Sequence, residues 1–485
     1  MPAHVRTSTS LADAFVYTGN MLDRINWFDL YRRDALNCAS CGSWINLAVS
    51  DQLMGYVLAV LAAATRPHQQ PWLIFSIIQG QQPRNFELKT FTILGYGAKF
   101  VDVFDYGPYY MKNGDYFSQR RDGAYEAVQD VTHTVGAADE LLAEARPVRG
   151  SVTLLYSETT DVWMLPEKIN NYGREREGVF LALRHAQFPV DIVTESDVAE
   201  GALKDYRVLY LVGSHIVPAA AKAVRQWVEQ GGVVWSDLGS GLRDHYDRPL
   251  ATLRPVYGIT EWSRGPVQAA GAGKPGMLAC RKPSAYIHLL PLRGLPKARL
   301  AAYFGHGTLT PSDEGVEVLA RFDGGGPAVV AHRWGKGRSV HCAWWPGLTY
   351  LREALPATLP PGDTRRFYGS YLPPHYPAEP GSLTACGARW AGAERPVESD
   401  VALAEATLQR GPLGSVVTLV NYGPAPVASL GVRVRQAEAV AAVTSARHGP
   451  LPFEQEGGDV RFRLPLEVGD FVCLKPACGE PGRTP

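Results

Sequence analysis

No cysteine lies between Cys41 and Cys280, and the 485-residue chain holds only seven. Cysteines so few and so spread do not make a disulfide framework. An excess of one charge is also lacking: Lys plus Arg number 48, and Asp plus Glu number 48. That balance argues against a general electrostatic grip on nucleic acid or an anionic membrane. Long apolar runs are missing. The longest helical one, Leu53–Thr65, is too short for a bilayer. The opening MPAHVRTSTSLADAF shows no apolar core followed by a small-residue cleavage site. The expectation is a cytoplasmic protein. Walker-type and dinucleotide fingerprints are absent, so no cofactor is expected. WGKGR (Trp334–Arg338) reads as hairpin-turn chemistry rather than a phosphate cradle. No internal repeat or low-complexity tract stands out.

What is present is an ordinary globular balance, 46% hydrophobic and 20% charged, at a length that suggests roughly three domains. Eleven tryptophans and twenty-two tyrosines are a high share. Such rings stack on sugars, and they also fill cores and interfaces.

Residues 151–237 alternate between short apolar runs and helical stretches: SVTLLY, PVDIVTESDV, RVLYLVGS, PAAAKAVRQWVEQGG, then VVWSD. Parallel strands buried on both faces read this way, with a helix in each crossover. Residues 1–146 alternate too. Helices are expected over 51–65, 85–98 and 123–145, and strands over 71–80 and 99–110, with a short strand end within 36–47. Three such units cannot close a barrel of eight. Residues 262–312 are rich in glycine and proline and read as an inserted β-region, about 246–315 with its flanks. Residues 316–350 read as three strands turned by DGGGP and WGKGR. A proline-rich connector is expected over 356–396. From 397 to 478, short strands at regular spacing predict a small sandwich. The fold class is α/β: a partial (β/α) barrel, a flavodoxin-like domain over 150–355, and a C-terminal β-sandwich.

That order of parts resembles the glycoside hydrolase family 42 β-galactosidases. LKDYRVLYLVGSHIVPAAAKAVRQWVEQGGVVW (Leu203–Trp235) and SVTLLYSETTDVW (Ser151–Trp163) are similar to the family's trimerisation domain. That domain has a class I amidotransferase-like shape. An amidotransferase carries a nucleophilic cysteine near the turn that here reads VGSHIVP, and this chain has none. GYGAKFVDVFDYGP (Gly95–Pro108) resembles the last barrel helix and eighth strand. The resemblance spans about residues 20–475. It implies a carbohydrate partner, a galactoside-like substrate or ligand, and a homotrimer.

It also implies a catalytic glutamate on the fourth barrel strand and another on the seventh. This chain is expected to begin beyond the fourth. The strand matching the seventh, 71–80, carries Ser76 and Gln79 and no carboxylate. A retaining mechanism needs two carboxyl groups about 5 Å apart. Two readings follow: a β-galactosidase-like enzyme whose carboxylate pair is incomplete in this chain, and a non-catalytic carbohydrate-associated scaffold.

The candidate catalytic residue is Asp105, at the carboxyl end of the 99–110 strand; a loop aspartate capping the next turn is the plainer alternative. Trp44, Gln79 and Tyr106 are the candidate sugar contacts, against core packing for Trp44 and a solvated loop for Gln79. Asp102, three residues before Asp105, is expected on the opposite face. Glu87 is read as a carboxylate favoured by a helix dipole. Cys38 and Cys41 form C-x-x-C without the second pair a structural zinc site uses, which favours two free thiols over a metal site. Glu158, Asp161 and His215 follow strands of one parallel sheet, where ligands gather at the carboxyl ends; a silent cleft or a subunit contact is the expectation.

Overall fold

The computed structural model describes residues 7–9, 25–43, 51–77, 83–104, 123–165, 170–270, 282–312, 315–356 and 373–477. Helix α1 (Trp27–Arg32) is begun by Asn26, whose side chain accepts the Asp29 amide. It leads through β1 (Ala39–Gly42), α2 (Leu53–Thr65), β2 (Trp72–Ile77) and α3 (Pro83–Gly95) to β3 (Phe100–Phe104). The strands are parallel in the order β1-β2-β3. Sequence neighbours are therefore space neighbours, and right-handed crossovers put both helices on one face. Hydrogen bonds agree. Trp72 Nε1 donates to Thr65 Oγ1 on α2 at 3.0 Å, and Ser76 Oγ meets Thr90 Oγ1 on α3 at 2.8 Å. This is one arc of a β/α barrel. Leu73, Phe75, Phe100 and Asp102 share the opposite face by register, where Phe100 is 47% exposed.

All residues of α2 but Ala62 are buried. A helix apolar all round needs cover on every side. The three-stranded sheet supplies one side, and the middle layer supplies the other. The single helix expected over 123–145 is two, α4 (Ala124–Gly136) and α5 (Asp139–Glu144). Gly136 weakens the helix at the break, and Asp139 Oδ1 accepts the Glu140 amide at the new start. The linker contributes β4 (Arg146–Pro147).

Next come β5 (Val152–Tyr156), α6 (Glu158–Met164), α7 (Asn171–His185), β6 (Val190–Thr194), α8 (Glu195–Ala199), β7 (Val208–Leu211), α9 (Pro218–Glu229) and β8 (Val233–Ser236). After a loop and α10 (Arg254–Tyr257) follow β9 (Ile259–Arg264), β10 (Ala285–Leu289), β11 (Ala298–Ala302), β12 (Gly307–Pro311), β13 (Val316–Phe322), β14 (Pro327–Trp334) and β15 (Gly337–Cys342). Nine of these make one sheet, in the order β11-β10-β13-β14-β15-β8-β7-β5-β6. β15, β8, β7, β5 and β6 run parallel. Read from β6 and ranked along the chain, they stand second, first, third, fourth, fifth, one of the doubly wound orders. Alternate residues feed two cores. Val208 and Tyr210 face one core and Leu209 and Leu211 the other. The inserted β-region is not a separate body. β10 and β11 extend the main sheet, and β9 and β12 form a two-stranded ribbon.

Helix α11 (Pro346–Ala354) lies against α7 so closely that a Cβ on Gly178 would sit 2.3 Å from the Gly347 carbonyl oxygen. The connector expected over 356–396 contains α12 (Ala378–Trp390), whose Leu383, Ala385 and Ala388 enter the first core. Prolines flank this helix at its start, where a missing N–H costs nothing.

The C-terminal strands are β16 (Val397–Ser399), β17 (Ala404–Gly411), β18 (Gly414–Asn421), β19 (Val427–Arg435), β20 (Val440–Ser445), β21 (Gly449–Pro450), β22 (Phe453–Glu456), β23 (Asp459–Leu466) and β24 (Gly469–Pro476). They form sheets β16-β19-β23-β22 and β21-β20-β24-β18-β17-β4, facing each other across a shared core. α3, α4 and α5 cover the outer face of the larger sheet through Phe86, Phe91 and Val131 against Val416 and Phe471. That double cover explains why SVVTLV in β18 is continuously buried.

Candidate functional site

The three parallel strands β1–β3 end on one rim at Gly42, Ile77 and Phe104. Trp44, Gln79, Asp105 and Tyr106, the four residues singled out in the sequence, follow these ends and lie outside the described residues. What holds the rim is described. Ser43, Asp51, Asn85 and Lys89 are buried there. Lys89 Nζ donates to the Ser43 carbonyl at 2.9 Å, and Asn85 Nδ2 donates to Asp51 Oδ1 at 2.9 Å. Asn85 and Lys89 stand four apart on α3, hence on one helix face. One face of α3 thus holds both Ser43 and Asp51. Nothing in the sequence pattern flags Lys89, because a lysine in a helix normally reads as a solvated position.

Ser76 points to α3 and not to the open face. Asp102 is exposed on that open face and is the one carboxylate in β1–β3. Glu87 is not in the first turn of α3, so the helix-dipole reading fails. It lies half-buried, 3.9 Å from the Arg447 guanidinium; burial raises its pKa, and Arg447 opposes the rise. Cys38 and Cys41 are buried and not joined in a disulfide, and no metal-holding cluster occurs among the described residues.

A second rim lies at the carboxyl ends of β5–β8. Glu158, Asp161 and His215 all reach it but serve different partners. Glu158 Oε1 accepts from Asn26 Nδ2 at 2.7 Å. His215 hydrogen-bonds Asp247 Oδ1 at 3.0 Å, and Trp163 stacks on its ring at 5.5 Å. Asp161 turns inward and accepts from Tyr156 Oη at 2.6 Å, Arg176 at 2.6 Å and Asn170 at 2.5 Å. The Arg176 guanidinium also lies 4.3 Å over the Tyr156 ring. Behind them sits an acid pair that sequence reading missed. Glu175 accepts the Gly347 and Leu348 amides at 2.7 and 2.6 Å at the start of α11. Burial raises the Glu175 pKa, and the charge of nearby Asp237 raises it further. Burial raises Asp237 too, against the Ser240 hydroxyl that bonds it. Two carboxyls this close retain a shared proton. All fifteen residues of α7, NYGREREGVFLALRH, are buried. A run of four charges reads as a water-facing turn in sequence, and only the packing shows otherwise.

The architecture combines a barrel arc, a mixed nine-stranded sheet and a β-rich C-terminal region. Among solved structures the chain is similar to a beta-galactosidase from Bacillus circulans sp. alkalophilus, at 14% identity and a TM-score of 0.67 over 97% of this chain and 64% of that one. It is equally similar to Gan42B, a GH42 beta-galactosidase from G. stearothermophilus, at 14% identity and 0.67 over 98% and 64%. The alpha-L-fucosidase isoenzyme 2 from Paenibacillus thiaminolyticus follows at 16% identity and 0.56 over 85% and 61%. The chain thus has the fold of GH42 β-galactosidases along nearly its whole length and spans 64% of theirs. No family model and no curated protein matches it.

Proposed function

We propose that the chain is a glycoside hydrolase-like protein of the β-galactosidase type, acting in carbohydrate metabolism on a galactoside-like substrate or ligand. The observation that supports this most is the likeness across 97–98% of the chain, which takes in all three parts in order. In our reading residues 1–146 are the partial barrel and 150–355 a flavodoxin-like, amidotransferase-like layer without a nucleophile. Residues 356–396 link to the sandwich at 397–478. The doubly wound strand order supports the second assignment. We take this layer as the contact of a homotrimer and the buried cysteines, none in a disulfide among the described residues, as those of a cytoplasmic protein.

A complete carboxylate pair is not part of this proposal. β2 carries no carboxylate, and Asp102 is alone among the three strands. An isolated carboxylate does not supply both the acid and the nucleophile. That favours the second reading as well, a carbohydrate-associated oligomeric scaffold. An aryl-galactoside assay on the purified chain separates the two. The expected result is no detectable turnover. Turnover abolished by Asp105→Asn would establish the enzyme instead.

A further inference from the structure

One described cavity lies away from both rims. It holds about 610 Å3 at the amino ends of β2, β3, β5 and β6, where the barrel arc, the middle layer and the C-terminal strands meet. That volume falls within the range of small-molecule sites, roughly 300–1,000 Å3. Its walls carry more positive charge than side chains neutralise. Asp191 is shared between Arg149 at 2.7 Å and Arg66 at 3.6 Å. Arg146 hydrogen-bonds the neutral Gln69 Oε1 at 3.0 Å. Lys99 Nζ meets only the carbonyls of Leu142 and Ala145, at 2.5 and 2.6 Å. Among the described residues neither Arg146 nor Lys99 has a carboxylate within ion-pair distance. Burial lowers the Lys99 pKa, the Arg146 charge lowers it further, and Glu144 at the cavity wall opposes both. Lys99 is half-buried without a counter-charge and Arg146 stands exposed beside it, so a ligand that brings negative charge pairs with both.

Two wall residues also carry polar atoms without partners. Gln70 is buried, and its amide nitrogen donates to the Tyr31 and Leu36 carbonyls at 3.0 and 3.1 Å, which fixes the orientation of the amide. Its Oε1 has no partner, nor has Thr407 Oγ1. Both suit hydroxyl groups. Trp72, Pro147 and Leu408 give the apolar surface on which a ring packs.

We propose that this three-way cavity binds an anionic sugar, with its phosphate or carboxylate at Arg146 and Lys99 and its hydroxylated body against Gln70, Thr407 and Trp72. The site is separate from any sugar-cleaving rim, since it opens at the opposite ends of the strands. Occupancy ties the three parts of the chain together.

Isothermal titration of the full chain with glucose 6-phosphate, glucuronate, glucose and inorganic phosphate tests this. At least one anionic sugar is expected to bind about ten-fold or more tightly than glucose and than phosphate. Which one binds tells phosphate from carboxylate. Arg146→Gln, an exposed change, weakens that binding about ten-fold or more, and Glu144→Gln strengthens it a few-fold, about what one removed charge supplies. Equal binding of glucose, equal binding of inorganic phosphate, or unchanged affinity in Arg146→Gln with melting unaltered overturns the proposal. So does the absence of heat with every probe. None of these outcomes depends on galactosidase turnover.

Discussion

Arg184 and Glu405 form a buried ion pair that ties the middle layer to the C-terminal sheet. Arg184 Nε and Nη2 both reach Glu405 Oε1, at 3.1 and 2.8 Å. The barrel arc joins the same carboxylate: Tyr96 Oη donates to Oε1 at 2.8 Å, and Gln52 Nε2 donates to Oε2. Glu405 is thus the point where all three parts share one charge. Removing either partner of such a pair strands the other charge away from water, at a cost of about 3–5 kcal/mol. Glu405→Ala and Arg184→Ala should each lower the urea midpoint by that order. The double variant should cost less than the sum of the two, which a mutant cycle by circular dichroism reads directly.

Acid should unfold the protein through its histidines. Burial, with the Arg184 charge beside it, lowers the His185 pKa to about 3. Burial alone lowers His341 to about 3. Both stay neutral in the folded chain while the unfolded chain takes up protons below about 6.5, so their stabilisation is lost as pH falls from there towards 3. Glu177 works the other way. Burial raises it to about 7, so the folded chain holds a proton that the unfolded chain loses above about 4.5. Its contribution fades as pH rises through that interval, as do those of Glu175 and Asp237. The opposed slopes predict a plateau between about pH 4.5 and 6.5. Below it, stability should fall by up to roughly 1.4 kcal/mol per histidine per pH unit. Urea midpoints measured across pH 3.5 to 8 check this, and His185→Gln should flatten the acid limb.

Gly178 should not accept alanine. The added methyl would meet backbone of α11, not a side chain able to swing away. Forcing α7 and α11 apart costs about 1–3 kcal/mol or more. Gly201 has open space around its Cβ position but a φ of +89°. Gly201→Ala should cost less, about 1 kcal/mol, from backbone strain alone. Thermal melts of the two variants separate a close approach from a left-handed turn.

Lys89→Met should loosen the rim without disturbing the sandwich. The change keeps the stem and removes the ammonium that holds the Ser43 carbonyl. A lost hydrogen bond to a charged group is worth about 1.5–3 kcal/mol. Hydrogen exchange should quicken at the carboxyl end of β1 and stay unchanged in β18 and β24. Uniform quickening would mean that Lys89 supports the whole fold rather than one rim.

The sequence alone determined which stretches become strands and helices and in what order they come. Short, mainly apolar runs of four or five residues mark β5, β7 and β8, and Gly231–Gly232 follows the end of α9, because these are local effects of side-chain shape and backbone freedom. The order of parts pointed to the β-galactosidase fold. Tertiary structure alone decided which charges are buried. NYGREREG carries the same pattern whether it faces water or a core, and here it faces Asp161, Gly347 and the Tyr156 ring. It also decided that 378–390 is a core helix, that β10 and β11 widen the main sheet, and that Glu405 meets Arg184 across 221 residues. Those outcomes depend on what lies opposite in space, and periodicity within a segment holds no record of its partner.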